Sequence, residues 1–351
     1  MHRGGRIGMS MVPHSPRVAI IIPTWNRRDD LLRCLASLRR LVYEDFVAIV
    51  VDNGSQDGTV RAVRELHPEC VVLESATNLG FAGGNNLGIR WALENGADYV
   101  LLINNDTEVT PGLVAELVRV AETDPGIAAV GARNLVLEEP RRLWGAYGVL
   151  TYGPFVVRTD GHGLLDGPEW QIVKDVDWAI GNAILLRGTA LREIGLLDEA
   201  FFAYHEDVDW CVRARRAGLR VVYAGTAAIL HKGGGSSDPG QPHSFPQWYF
   251  LGRNGVLFVA KHATWAERSR FALLCGAALV ARAGRALLLR CWPSADARRR
   301  GERQWAMERA FLRGANDGLH QRPVPFGLLG LSDGKVRTPS SPEGETSASV
   351  C

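Results

Sequence analysis

No two of the six cysteines, Cys34, Cys70, Cys211, Cys275, Cys291 and Cys351, stand at a paired short spacing. That argues against a disulfide framework and a zinc module, and favours reduced thiols in a cytosolic compartment. Neither a G-x-G-x-x-G fingerprint nor a P-loop occurs, so a dinucleotide-dependent dehydrogenase or a P-loop NTPase is not expected. Charge of one sign is missing too: 40 Lys and Arg against 38 Asp and Glu leave a net +2. With no zinc-finger or basic-zipper pattern, this balance speaks against a nucleic-acid binder. Residues 1–16 carry basic side chains but no apolar core, and do not read as a signal peptide. There is no internal repeat.

The chain has 351 residues, 46% of them hydrophobic, enough for one large domain plus an appendage. Short β-branched runs at 18–22, 46–51, 71–73, 99–103 and 127–130 read as strands. Helical spacing at 29–40, 59–66, 85–94 and 113–121 separates them. Such alternation predicts a doubly wound α/β sheet covered on both faces. Ligands then bind beyond the carboxyl ends of the strands, which gathers Thr24, Asp52 and Asp106 on one rim. After Gly131 the pattern changes. Residues 144–158 read as a hairpin or flap, 182–187 and 221–223 as strands, and 188–194, 206–217 and 247–262 as helices.

Several segments could carry chemistry. Pro23-Thr24-Trp25-Asn26 follows the first strand. Asp52-Asn53-Gly54-Ser55 follows the second, where exposed amides and a carboxylate could meet a base or ribose; an ordinary βα turn accounts for it as well. Asn78-Leu79-Gly80-Phe81-Ala82-Gly83-Gly84-Asn85-Asn86 could bring a diphosphate to a helix N-terminus, or could be a turn with close helix packing. Asp106, which follows an apolar run and Asn104-Asn105, is a candidate ligand for a hard cation; strand-end solvation or a cap, with Thr107 and Thr110 nearby, accounts for it as well. Trp178-Ala179-Ile180-Gly181-Asn182 could line a pocket. Glu206, Asp207 and Asp209 open a helix, where a carboxylate can serve as a base or simply answer the helix dipole. His231 precedes Lys232 and a glycine run that could close over phosphates.

As a set, Ile21-Ile22-Pro23-Thr24-Trp25-Asn26, Val51-Asp52-Asn53-Gly54-Ser55, the Asn78–Asn86 segment, Asn104-Asn105-Asp106, Gly195-Leu196-Leu197-Asp198-Glu199 and His205-Glu206-Asp207-Val208-Asp209 resemble the inverting glycosyltransferases of family 2, in particular bacterial rhamnosyltransferase-like members. The resemblance covers about residues 18–262. It implies a GT-A fold, a single Rossmann-like doubly wound mixed sheet with a C-terminal helical extension. It also implies nucleotide-sugar contacts from Pro23, Thr24, Asn26, Asp52, Asn53, Gly83, Asn85, Asn104 and Asn105. A divalent metal, Mg²⁺ or Mn²⁺, would sit on Asp106 with His231, and Asp207 would be the catalytic base. Trp178, Glu206 and Asp209 would support the acceptor side. Arg253 and Asn254 match a pattern of the family for which the sequence offers no mechanism. One departure stands out: Asn104 occupies the first position of the family's D-x-D element, removing one carboxylate.

The partners implied are a nucleotide-sugar donor, with dTDP-rhamnose leading, and a glycan or lipid-linked acceptor, in cell-surface polysaccharide synthesis. An inactive sugar-nucleotide-binding or scaffold protein of the same fold is the alternative that the Asn104 departure keeps open. No Gln-x-x-Arg-Trp string marks a processive synthase. The domains expected are a disordered extension over 1–16, a catalytic domain over 17–262, an amphipathic helical region over 263–330 and a disordered tail over 331–351. The apolar run 271–280 is about half a membrane span, and Arg282, Arg285 and Arg290 interrupt its continuation. With Trp265, Trp292 and Arg298 to Arg300 it suits a helix lying on the inner face of the cell membrane; an ordinary helix packed on the catalytic domain accounts for it as well.

Overall fold

The computed structural model describes residues 15–232 and 245–325. The expected extension over 1–16 lies almost wholly outside them, and the expected tail and the glycine run after Lys232 lie outside them too. Strands β1 (Val18–Thr24), β2 (Phe46–Asp52), β3 (Val71–Glu74) and β4 (Tyr99–Ile103) alternate with helices α1 (Arg28–Leu38), α2 (Thr59–Leu66) and α3 (Gly80–Glu94). There follow β5 (Thr107–Val109), α4 (Leu113–Ala121), β6 (Ile127–Val136), β7 (Leu143–Gly145), β8 (Tyr147–Leu150), β9 (Val157–Asp160), β10 (Val173–Asp175) and β11 (Ala183–Arg187). Helices α5 (Gly188–Ile194) and α6 (Glu206–Arg216) precede β12 (Arg220–His231), and α7 (Phe245–His262), α8 (Trp265–Cys291) and α9 (Ala295–Leu319) come last.

The main sheet runs β10-β12-β6-β11-β4-β1-β2-β3, with β5 added to β12 and β7 to β6. The strands from β4 to β3 are parallel, whereas β11 is antiparallel to both its neighbours. This is a mixed sheet wound on both faces. Alternate residues of β1 explain why: Val18, Ile20 and Ile22 enter one core with Leu31 and Leu35 of α1 and Leu113 and Leu117 of α4. Ala19 and Ile21 enter the other with Ile89 of α3 and Trp210 of α6. Strands covered on both sides therefore read as unbroken apolar runs, and each buried Leu or Ile stabilises by about 1.5–3 kcal/mol. Parallel register sets Thr24 beside Asp52 and Asp52 beside Glu74, so the strand ends share one rim.

Two elements differ from the sequence expectation. Helix α3 starts at Gly80, not at residue 85, so the glycine-rich segment is helix rather than loop. Its glycines permit close packing: a Cβ on Gly84 would lie 2.8 Å from Asn53 Nδ2, and one on Gly88 2.6 Å from Ile21 Cγ2. Strand β12 continues well past residue 223, through an irregularity between Ala224 and Ala228, because β5 pairs with its far end.

At the C-terminal end α7 crosses α9 at backbone distance. A Cβ on Gly314 would sit 2.0 Å from the Tyr249 carbonyl, and one on Gly318 2.3 Å from that of Arg253. Arg282 does not interrupt α8. It turns inward, donating to Glu308 at 2.7 Å and lying over the rings of Phe155, Trp248 and Phe311. The helix runs on for 27 residues, long and apolar enough by composition to cross a membrane, with 11% of its apolar window buried.

Candidate active site

The rim beyond β1, β2 and β4 forms a cavity of about 380 Å³ lined by Pro23, Thr24, Asn53, Asn105 and Asp106 among others. Thr24 is buried at the end of β1, where its hydroxyl accepts from Asn105 Nδ2 at 2.9 Å. Asn53 donates from Nδ2 to the Gly80 carbonyl at 3.2 Å, which ties this rim to α3. Asp52 and Asn26 stand just behind. Asp52 Oδ2 accepts the Gly54 and Ser55 amides at 3.2 and 3.0 Å, while its buried Oδ1 has no hydrogen-bond partner. Asn26, at φ 51°, uses its side chain to accept the Gln56 amide at 2.7 Å, closing one loop on the other. Asn is among the few residues that tolerate that backbone.

A second cavity, about 320 Å³, shares Asn104 and Asp106 with the first and continues past Trp144, Trp178, Gly181, Glu206, Asp207 and His231. Where the two meet, Asp106 Oδ1 lies 3.1 Å from His231 Nε2. Burial pushes the Asp106 carboxyl up, but His231, a backbone amide and Arg27 together outweigh it and the net direction is down. Asn104 donates to Asn182 Oδ1 at 3.0 Å, and its own Oδ1 is buried without a partner.

Asp207 sits at the start of α6. Its Oδ2 accepts the Gly181 amide at 2.9 Å and its Oδ1 the Val208 amide at 2.8 Å. Burial lifts its carboxyl to about 6 against those two hydrogen bonds, and burial, with Asp207 alongside, also holds Glu206 well above the usual carboxylate range. A carboxylate whose affinity for protons is raised toward neutrality suits a general base. Gly181 leaves room for it, since a Cβ there would lie 2.9 Å from Asp207 Oδ2.

The structure thus brings Pro23, Thr24, Asn53, Asn104, Asn105, Asp106, Trp178, Glu206, Asp207 and His231 around two joined cavities. Asn26 and Asp52, behind the rim, line neither cavity, and three further expected residues lie away from both. Gly83 and Asn85 are buried inside α3, where Asn85 Nδ2 donates to the Phe81 carbonyl at 2.9 Å, and neither lines the cavities. Asp209 lies on the far face of α6, bonded by His262 and Lys261 at 2.7 Å each and by Arg213 at 2.9 Å. Burial acts upward on it, yet those donors hold it down at about 2. Its work is to fasten α6 to α7.

Arg27 joins the first cavity although the sequence reading passed over it. A signal existed: a basic residue at a helix N-terminus runs against the dipole preference. The trio His67, Glu69 and Cys70 could also hold a metal, but it is remote from these cavities. Glu69 there is engaged by Arg39 at 2.9 Å, and burial keeps the Cys70 thiol up at about 11. An open groove of about 680 Å³ at the far end of α6 holds none of the expected residues.

This sheet, with a polar rim and a half-buried carboxylate across a cleft from it, is that of a GT-A nucleotide-sugar glycosyltransferase. The chain belongs to glycosyl transferase family 2, whose sequence model matches residues 19–212. It is 28% identical over 235 residues to N-acetylglucosaminyl-diphospho-decaprenol L-rhamnosyltransferase of Mycobacterium tuberculosis, covering 60% of this chain and 75% of that one. It is 27% identical to the low-salt glycan biosynthesis hexosyltransferase Agl10 of Haloferax volcanii, over 61% of this chain and 66% of the other. Among solved structures, the mannosyltransferase PcManGT of Pyrobaculum calidifontis, in complex with GDP-Man and Mn²⁺, superposes with a TM-score of 0.54 at 16% identity, covering 88% of each chain. GalNAc-T7 with UDP, GalNAc and Mn²⁺ gives 0.59 at 13% identity, over 88% of this chain and 58% of that one.

Proposed function

We propose that the chain transfers rhamnose from dTDP-rhamnose to a hydroxyl of a lipid-linked glycan, with inversion, at the cytoplasmic face of a membrane. The half-buried Asp207, held by Gly181 at the wall of the second cavity, carries this reading. Asp207 takes the proton of the acceptor hydroxyl, whose oxygen forms the new bond to the anomeric carbon. The bond from that carbon to the diphosphate breaks on the opposite face, and a nucleoside diphosphate leaves. One displacement inverts the centre, and no covalent nucleophile is needed. Thr24, Asn53 and Asn105 line the nucleotide end, and the unpartnered Asp52 Oδ1 stands ready behind them for a donor.

Asp106 and His231 offer one carboxylate oxygen and one imidazole nitrogen side by side, a donor set that fits Mn²⁺ or Mg²⁺. Bound there, the cation would supply positive charge beside the leaving diphosphate. The choice of rhamnose is supported by the similarity to the mycobacterial rhamnosyltransferase. The membrane setting is supported by α8, whose Trp265, Leu273, Val280, Leu287 and Leu288 are all exposed, as is Trp292 just past its end. The test is nucleotide release from a panel of dTDP-rhamnose, UDP-galactose, UDP-glucose, UDP-N-acetylglucosamine and GDP-mannose with membrane lipid extract, with and without metal. Turnover of dTDP-rhamnose alone is expected. Turnover of another donor instead overturns the choice of sugar, and failure of every donor to bind overturns catalysis.

A further inference from the structure

The backbone just before the proposed base is unusual. Phe202, Tyr204 and His205 have φ of 63°, 69° and 73°, a region that side-chain-bearing residues avoid. Three such residues within four positions persist only where surrounding structure over-determines them. The surroundings here are two adjacent residues of α7. Asn254 is fully buried, and its Nδ2 donates to the carbonyls of Phe201, Ala203 and Tyr204 at 2.9, 2.7 and 2.7 Å. Arg253 donates from Nη1 to the Ala200 carbonyl at 2.7 Å and to Asn254 Oδ1 at 3.0 Å, which orients the amide. Its Nη2 reaches the Arg322 carbonyl beyond α9 at 3.0 Å.

We infer that Arg253 and Asn254 are positioning residues for Asp207, acting by gathering the carbonyls of this strained segment. The inference rests on the reading of Asp207 as base. A left-handed stretch turns neighbouring carbonyls toward one another, and without a donor between them they repel. The two N–H bonds of one amide, one of them shared, answer three of them, and the guanidinium answers a fourth. The consequence reaches the base within two residues: the His205 carbonyl accepts the Asp209 amide at 2.8 Å, so this segment sets where α6 begins. The start of α6 in turn sets whether Asp207 meets the Gly181 amide. From the other side, α3 closes the segment, with the Ala82 amide donating to the Phe202 carbonyl at 3.0 Å. Neither Arg253 nor Asn254 lines either cavity, so they act through the segment and not on the substrate.

The test compares Asn254→Ala, Arg253→Ala, Arg253→Lys and Asp207→Asn in the full chain. Amide exchange is followed at Gly181 and Asp209, with Leu101 in β4 as a reference, and kcat and KM for dTDP-rhamnose are measured. In Asn254→Ala the Gly181 and Asp209 amides exchange faster while Leu101 does not. Turnover falls about 100-fold, the scale of an ångström of misplacement, with KM within about twofold. Arg253→Lys, which keeps one donor near Ala200, recovers part of the loss of Arg253→Ala. Unchanged exchange at Gly181 and Asp209, or a rise that Leu101 shares, overturns the inference. Exchange needs no donor, so it decides the clamp even where an active Asp207→Asn shows the base assignment to be wrong.

Discussion

His231 Nε2 lies 3.1 Å from Asp106 Oδ1, across 125 residues of sequence, because the sheet register puts it there. Strand β5 pairs antiparallel with the end of β12, setting His231 opposite Thr107, and the Lys232 amide donates to the Asp106 carbonyl at 3.0 Å. The pair is therefore fixed by backbone hydrogen bonds before any ligand arrives. Asp106→Ala is expected to abolish metal-stimulated turnover. His231→Gln, which removes the imidazole donor, should raise the metal concentration for half activity by at least about 10–100-fold, the cost of losing even an outer partner of a metal ligand. Titrating Mn²⁺ or Mg²⁺ against nucleotide release checks both, and a metal response like that of the unaltered chain would remove His231 from the assignment.

Asp207→Asn keeps the shape at the start of α6 and removes the ability to take a proton. Turnover should drop by about 10²–10⁴-fold, the usual contribution of a positioned base. Donor affinity should hold, since Asp207 is absent from the nucleotide end of the cleft. Calorimetry with dTDP beside the rate assay separates the two effects. Near-normal turnover would place the base elsewhere.

With Asp207 at about 6, the rate at saturating donor should fall below pH 6 as its carboxylate is protonated. Stability moves the other way in that window. A carboxyl whose folded value is raised binds its proton more readily in the folded chain, so lowering the pH from 6 toward 4 favours the folded state. Asp209, held down at about 2, has the opposite sign, and its contribution is lost only as the pH falls from 4 toward 2. Near pH 5 the chain should be folded yet slow. Melting and rate profiles on one buffer series check this, and a rate flat through pH 6 contradicts it.

Gly80 carries a φ of +74°, and a Cβ there would lie 2.5 Å from the Phe202 carbonyl. Gly80→Ala meets both a backbone penalty and an overlap, and should cost about 2 kcal/mol or more. Denaturant midpoints measure it, with turnover falling because the collision is with the segment that leads to Asp207. An unchanged midpoint would mean that α3 can shift at little cost.

The doubly wound sheet was legible because its buried strands are apolar on both faces and its helices are not, as β1 between its two cores shows. The rim was legible for the same reason: Thr24, Asp52 and Asp106 each stop an apolar run. The role of the glycine-rich segment was not. Gly83 and Gly84 in a row look like a phosphate loop, yet Gly84 is small because Asn53 lies against it, and that neighbour is invisible in sequence. Asp209, two residues from Asp207, looked like part of the same acidic site. Helical geometry turns it to the opposite side, where Lys261 and His262 meet it. The reach of β12 to His231 depended on its pairing with the three residues of β5, too short a strand to announce itself.

The exposed face of α8 provides the last prediction. Arg282 points inward to Glu308, which leaves Leu273, Val280, Leu287 and Leu288 on the outside without a charge among them. Arg285, Arg290 and Arg298 to Arg300 flank that face and are exposed. Such a surface suits an anionic bilayer, with each arginine near the headgroups adding about 1 kcal/mol. The full chain should co-sediment with phosphatidylglycerol vesicles and less with phosphatidylcholine, and salt should weaken the difference. A Val280→Asp, Leu287→Asp double substitution places charge in the apolar stripe, where it should lower vesicle binding at least tenfold while amide exchange around Asp207 stays as it was. Binding that survives the double substitution, or that ignores headgroup charge, would assign the stripe to a protein partner instead.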